Sequence, residues 1–311
     1  MSGIGRGLSI FAVVLGCSLP AMADSLSVDF NSYSLGNLPG SNTGDTRSPG
    51  GPNWWYPSNA ATSAQVVSSG GNNVLNVYNN GNGNDGVIDN IHSPELSQLA
   101  GETGAGAQPG AQVNVFTSSY MFRTVSNGPV AGFQFKSESY GQDRSTWLKF
   151  YNDGTGALKV DYSGVTSSGN TPNSDVFTDN FGQFANSVTS LNWGSWYTVK
   201  TSIDFVNGPS NDEVTVSVLD ASNNVVWSAT DTTWEQYYRL DSEQIPNGNI
   251  VPGADSIQFQ MRNSAAGANN GVFIGSLTLT TAVPLPASTW GGLALLGGLA
   301  MLKLRRKAPA A

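Results

Sequence analysis

Apolar and polar residues alternate with period two along most of the chain between positions 24 and 282. Val113 to Val125 predicts one long strand and Gly132 to Lys136 its neighbour. Trp147 to Tyr151 and Leu158 to Tyr162 flank Asn152-Asp153-Gly154-Thr155-Gly156, whose Asn, Asp and Gly chemistry predicts a hairpin loop. Tyr197 to Phe205 and Val214 to Val218 flank Asn207-Gly208-Pro209-Ser210, and Val225 to Trp227 pairs back across Asp220 to Asn224. Ser256 to Arg262 and Val272 to Leu279 close the series, and Gln65 to Val67 with Val74 to Val77 precede it. About a dozen strands result, with no strand–helix–strand rhythm. Many antiparallel strands joined by short polar turns predict two packed sheets, because one open sheet cannot bury both faces. One short helix is predicted at Ser93 to Ala100, with Ser93 as N-cap, Pro94 in the first turn and Gly101 as stop, and a second at Thr233 to Leu240.

Charged residues make up only 12% of the 311 positions, and glycine supplies 37. An average soluble protein has ~25% charged residues. Such a chain suits strands and turns with a Ser/Thr/Asn surface and excludes a helical bundle. The net charge of −8 and the absence of basic stripes before the C-terminus exclude nucleic acid as a partner. One Cys and one His exclude zinc fingers, disulfide scaffolds and Cys-His nucleophile pairs by counting.

Both ends read as signals. Arg6 precedes the apolar run Leu8 to Leu19 and the small-x-small site Ala21-Met22-Ala23, which predicts a secretory signal peptide over 1–23. Val14-Leu15-Gly16-Cys17 is also lipoprotein-like, but the apolar run continues past Cys17 and favours ordinary cleavage. At the other end Val283 to Leu302 is uncharged and precedes Lys303, Arg305, Arg306 and Lys307. That span covers a bilayer core, and the basic residues stop it on the cytoplasmic side. It opens with Val283-Pro284-Leu285-Pro286, and proline is disfavoured inside a spanning helix, which moves the helix proper to about Thr289 to Leu302. This order of proline element, Gly/Leu/Ala span and basic tail over 283–311 resembles the PEP-CTERM sorting signal, in a Val-Pro-Leu-Pro variant with Leu285 where the common form has Glu. The resemblance implies an exosortase-type membrane protease as processing partner, an inner-membrane intermediate, and delivery to the cell envelope or extracellular matrix of a bacterium that makes exopolysaccharide.

The remaining ectodomain, 24–282, carries all 22 acids against nine bases, a net −13. Such a surface repels anionic polymers, so these would be held through cations or uncharged contacts. Within it Asp29-Phe30 to Gly40, Trp54-Trp55, Trp193 to Val199 with Ile203-Asp204, Asp220, and Val226-Trp227 follow in an order similar to concanavalin A-like or laminin-G-like jelly-roll domains. That resemblance implies an all-β, two-sheet antiparallel jelly-roll sandwich of a kind that binds or cleaves glycans.

Sugar rings stack on exposed aromatic faces. Trp54, Trp55 and Tyr56 between Pro52 and Pro57 are the first candidate platform, weighed against a core plug at the sandwich edge. Trp234, Tyr237 and Tyr238, near Glu235 and Arg239, are the second, weighed against packing on the sheet. Trp147, Trp196 and Trp227 read as core. Gly81 to Gly86 matches G-x-G-x-x-G but lacks the following helix of a dinucleotide site. The same loop offers Asp85 and Asp89 to a structural Ca²⁺, the one cofactor considered. Glycosidases need two carboxyls ~5 to 10 Å apart, and no strand carries such a pair; Glu235, Asp241 and Glu243, or Glu138 with Asp143, would need loops to bring them together. His92 beside the predicted helix cap reads as a surface residue. The expectation is a non-enzymatic polysaccharide-binding protein of an exopolysaccharide matrix or biofilm. The alternatives are a structural or adhesive module with its aromatics buried, and a glycan hydrolase or lyase showing two carboxyls or an Arg-Tyr-His group in one groove.

Overall fold

A computed structural model describes residues 25–37, 56–57, 62–79, 90–94, 96, 115–140, 144–164, 182–183, 190–204, 213–231, 254, 256–262 and 265–282. Ala23–Val283 forms one compact unit. The signal peptide, the sorting motif, the apolar span and the basic tail lie outside the described residues.

The chain is all-β. In order its strands are β1 (Ser25–Asp29), β2 (Gly36–Asn37), β3 (Tyr56–Pro57), β4 (Thr62–Ser69), β5 (Asn72–Asn79), β6 (Asn90–His92), β7 (Val115–Thr124), β8 (Gln134–Tyr140) and β9 (Arg144–Asn152). There follow β10 (Leu158–Gly164), β11 (Gly182–Gln183), β12 (Ser190–Leu191), β13 (Tyr197–Asp204), β14 (Glu213–Leu219), β15 (Val225–Asp231), β16 (Ser256–Arg262) and β17 (Val272–Ala282). The first sheet has the order β15-β14-β13-β7-β17-β5-β4-β2, with β1 also on β17; the second has β11-β10-β9-β8-β16-β6-β3, with β12 also on β10. The strand pairs are antiparallel, as the short polar turns require.

Period-two alternation becomes two faces on each sheet. In β7 the side chains of Phe116, Tyr120 and Phe122 are buried, and those of Thr117, Ser119 and Met121 point the other way. Phe122 meets Phe150 of the second sheet with ring centroids 4.3 Å apart, and Tyr120 meets Phe259 edge-on at 5.1 Å. The apolar core therefore lies between the sheets, and Tyr120 also donates its hydroxyl to Ser137 across it.

Turn chemistry is as expected where it is described. Asn152 Oδ1 accepts from Gly154 N at 3.0 Å and closes the β9–β10 loop, and Asp220 Oδ1 accepts from Ser222 N and Asn224 N before β15. The Ser93 hydroxyl accepts from Ile257 N at 2.9 Å and ties β6 to β16; of the helix predicted there, Leu96 is helical, and Glu95 and Ser97 to Ala100 lie outside the described residues. One expectation is corrected. Trp196 is not core: its ring lies half-exposed on the outer face of the first sheet, 5.1 Å beneath the Arg123 guanidinium. Trp147 lies on β9 opposite Glu138 in the register, and Trp227 is buried as expected.

Candidate functional site

The second sheet turns Phe135, Leu148, Phe150, Val160, Ile257 and Phe259 to the core, so the residues between them face away from it. Register lines these up in rows. His92 pairs with Gln258, Gln258 with Glu138, and Glu138 with Trp147. Tyr56 stands opposite His92 at one end of that row. The adjacent row runs Asn90, Gln260, Lys136, Lys149, Asp161. Residues paired across neighbouring antiparallel strands sit ~4.5–5.5 Å apart, so each row is a continuous polar strip.

These side chains are withdrawn from water although they lie off the apolar core. Gln258 is 2% exposed, Lys136 3%, His92 4% and Glu138 7%. Towards β10 the face opens, with Lys149, Tyr151 and Lys159 half-exposed. The Gln258 carbonyl oxygen is buried and has no hydrogen-bond partner among the described residues. A buried polar atom left unpaired costs about 1–3 kcal/mol.

Charge is placed unevenly. Strands of the second sheet carry Lys136, Arg144, Lys149, Lys159 and Arg262 against Glu138 and Asp161. Those of the first carry Arg123 and Lys200 against Asp29, Asp204, Glu213 and Asp231. On the open flank the Lys149 ammonium lies 5.1 Å from the Tyr151 ring centroid. Burial, then the carboxylates of Asp161 and Asp153, hold the Tyr151 hydroxyl above its ordinary pKa, so it stays a protonated donor. Lys159 donates to Ser190 Oγ at 3.1 Å and stands 3.8 Å from Asp153. The Thr155 side chain and backbone, followed by Lys159, keep the Asp153 carboxyl below its usual range.

Of the residues singled out from sequence, His92 and Glu138 lie on this face, and Tyr56 stands opposite His92 in the register. Trp54, Trp55, Trp234, Tyr237, Tyr238, Asp85, Asp89 and the acids Asp143, Glu235, Asp241 and Glu243 lie outside the described residues, as do Val283, Pro284, Leu285, Pro286, Lys303, Arg305, Arg306 and Lys307. His92 corrects its reading: it is buried within the row instead of lying on the surface, because β6 is a strand of the second sheet and pairs with β16. Sequence reasoning missed Gln258, Gln260 and Lys136. The available signal was their polarity at alternate positions of strands whose other positions are large apolar residues.

Glu138 and Asp161 lie two strands apart and two residues out of register, hence ~12 Å apart at the backbone. Lys136 and Lys149 stand between them.

No family model matches the chain, and no curated protein matches it. Among solved structures it is similar to the CBM2 module of the evolved Dit of Lactobacillus casei BL23 phage J-1, at 11% identity over 85% of this chain and 100% of that one, with a TM-score of 0.42. Lectin II from Ulex europaeus shares 12% identity over 84% of this chain and 100% of its own, with a TM-score of 0.40. The marine alginate lyase from Aplysia kurodai shares 10% over 72% of this chain and 87% of its own, with a TM-score of 0.39. Likenesses this loose assign neither a relative nor a ligand.

Proposed function

We propose that the protein is exported, sorted through its C-terminal signal to the cell envelope or matrix, and binds polysaccharide, the producer's own exopolymer, without cleaving it. The ectodomain on this reading is a concanavalin A-like jelly roll, and the binding surface is the outer face of the second sheet. The observation that carries the reading is the buried, unpaired carbonyl of Gln258 in a row with His92 and Glu138. Sugars offer dense hydroxyl donors and acceptors, which a strip of amides, imidazole and carboxylate complements at ~5 Å intervals.

The test is size-exclusion chromatography with light scattering on the purified full-length protein and the host exopolysaccharide. Co-elution that Gln258→Met abolishes supports the reading. Separate peaks leave a structural or adhesive module. Trp55→Ala tests whether the Trp54-Trp55-Tyr56 segment adds a stacking platform: weaker retention at unchanged melting temperature is expected, and a large loss of thermal stability would mark a core plug. Removal of 283–307 is expected to release unprocessed protein into the medium; unchanged fractionation and mass would refute the sorting reading.

One observation favours a second reading, a polysaccharide lyase. Register sets Tyr56 opposite His92 and Tyr140 opposite Arg144 on neighbouring strands of the second sheet. In such a reaction a base takes the proton beside the sugar carboxylate, the adjacent C–O bond to the next sugar breaks, a C=C bond forms, and the departing oxygen takes up a proton. Loss of polymer mass with a new ultraviolet-absorbing unsaturated end would favour it and overturn the non-enzymatic reading.

A further inference from the structure

The outer face of the first sheet holds an arginine between two aromatic rings. Arg123 of β7 pairs with Phe273 of β17. Trp196 immediately precedes β13, whose first residue pairs with Phe122, so the indole flanks Arg123 on the other side. The guanidinium carbon lies 5.1 Å from the centroid of each ring. Trp196 and Phe273 stand two strands apart, hence about 9–10 Å apart at the backbone. Gly275 makes room for the indole: a Cβ there would come within 3.2 Å of Trp196 and 3.5 Å of Met121 Cβ. Met121 is 38% exposed, and Arg123, Trp196 and Phe273 are half-exposed.

Arg123 Nη2 donates to Ser69 Oγ at 2.8 Å, and its Nε is buried with no acceptor among the described residues. No carboxylate among the described residues pairs with this guanidinium, and Nη1 has no hydrogen-bond partner among them. The strands of the same sheet carry four acids, in a domain of net −13, and none of them meets it. The two rings and the Ser69 hydroxyl hold the cation in place without neutralising it. A guanidinium makes its strongest hydrogen bonds to carboxylates and related anions.

From this geometry we infer that the first sheet carries a site for an acidic sugar, whose carboxylate is met by Arg123 Nη1 and whose apolar ring face stacks on Trp196 or Phe273. The site shares no residue with the second-sheet face proposed above and stands without that reading. Charge complementarity selects an anion, because a neutral sugar would leave the guanidinium without its counter-charge. The flanking rings select an anion borne on a sugar ring, whose C–H face stacks on an aromatic side chain. The acidic side chain of a polypeptide offers no such face. A single cation in so acidic a domain fits a chain of sparse charge, since the rest of the surface repels a heavily sulfated one.

The experiment is affinity electrophoresis of the full-length protein in gels containing polygalacturonate, dextran or dextran sulfate. It is repeated for Arg123→Gln, for Trp196→Leu, for Lys200→Gln on the same outer face, and for Gln258→Met on the second sheet. Retardation by polygalacturonate, weakened about tenfold by Arg123→Gln and by Trp196→Leu but unchanged in Lys200→Gln and Gln258→Met, is the expected result. Both altered site residues are half-exposed, and a thermal melt confirms that each variant folds. Retardation lost in Gln258→Met and kept in Arg123→Gln would overturn this inference and leave the second-sheet reading standing. Equal retardation by dextran would overturn the choice of an acidic sugar, and stronger retardation by dextran sulfate the choice of a carboxylate. No retardation in any of the three gels would overturn the inference, while co-elution with the host exopolysaccharide still decides the second-sheet reading.

Discussion

Replacing Gln258 by Met separates what the outer face does for stability from what it does for binding. The two side chains are similar in length, so the change leaves little cavity. Gln258 is 2% exposed and its carbonyl oxygen has no partner among the described residues. Removing an unpaired buried acceptor recovers about 1–2 kcal/mol of its desolvation cost. For a sandwich of this size each kcal/mol moves the melting temperature by about 2–4 °C, so Gln258→Met is expected to melt roughly 2–8 °C higher. The same variant is expected to lose retention by polysaccharide, because it removes an amide from the centre of the row between His92 and Glu138. Differential scanning calorimetry and co-elution with exopolysaccharide read the two effects on one preparation. A lower melting temperature with binding intact would refute the reasoning, since Gln258 would then be an ordinary structural amide.

Three further outcomes follow from the sandwich itself. Gly194 has φ +72°, and a Cβ there would overlap the side-chain Oδ1 of Asn127 and lie 3.1 Å from its Cα, so Gly194→Ala is expected to cost about 2–4 kcal/mol by denaturant melt. Gly154 has φ +85° with nothing within 4 Å, and its alanine variant is expected to cost only about 1 kcal/mol; equal losses would refute the steric account. Tyr120→Phe is expected to cost about 1–2 kcal/mol at neutral pH, because Ser137 loses its partner between the sheets. Burial also holds the Tyr120 hydroxyl well above the ordinary tyrosine value, with the Ser137 hydrogen bond opposing it. A pKa raised in the folded state gives stability that is full below the unfolded value of about 10 and is lost as pH rises beyond it. The wild type is therefore expected to lose stability more steeply than Tyr120→Phe above about pH 10, and parallel curves would contradict this.

The sandwich was legible because its information is local. Alternation in Val113 to Val125 and the Asn-Asp-Gly loop after Asn152 specify strands and hairpins from neighbouring residues alone. The outer face was not legible, because His92, Glu138 and Gln258 come from distant segments and meet only through the β6–β16–β8 pairing. A polar residue at an alternate strand position reads as solvated, and nothing local distinguishes Lys136, which is buried, from Lys200, which is exposed. Trp196 misled for a related reason: at the mouth of β13 it takes a cation over its ring on the outer surface, beside Gly275, where a Cβ would come within 3.2 Å of the indole.

Hydrogen–deuterium exchange of the full-length protein, with and without the host exopolysaccharide, locates the bound chain most directly. Added protection in peptides covering Gln134–Tyr140, Arg144–Asn152 and Ser256–Arg262, with none in Glu213–Leu219, is the predicted result. Protection confined to the first sheet, or none in either, would contradict a polysaccharide-binding face on the second sheet.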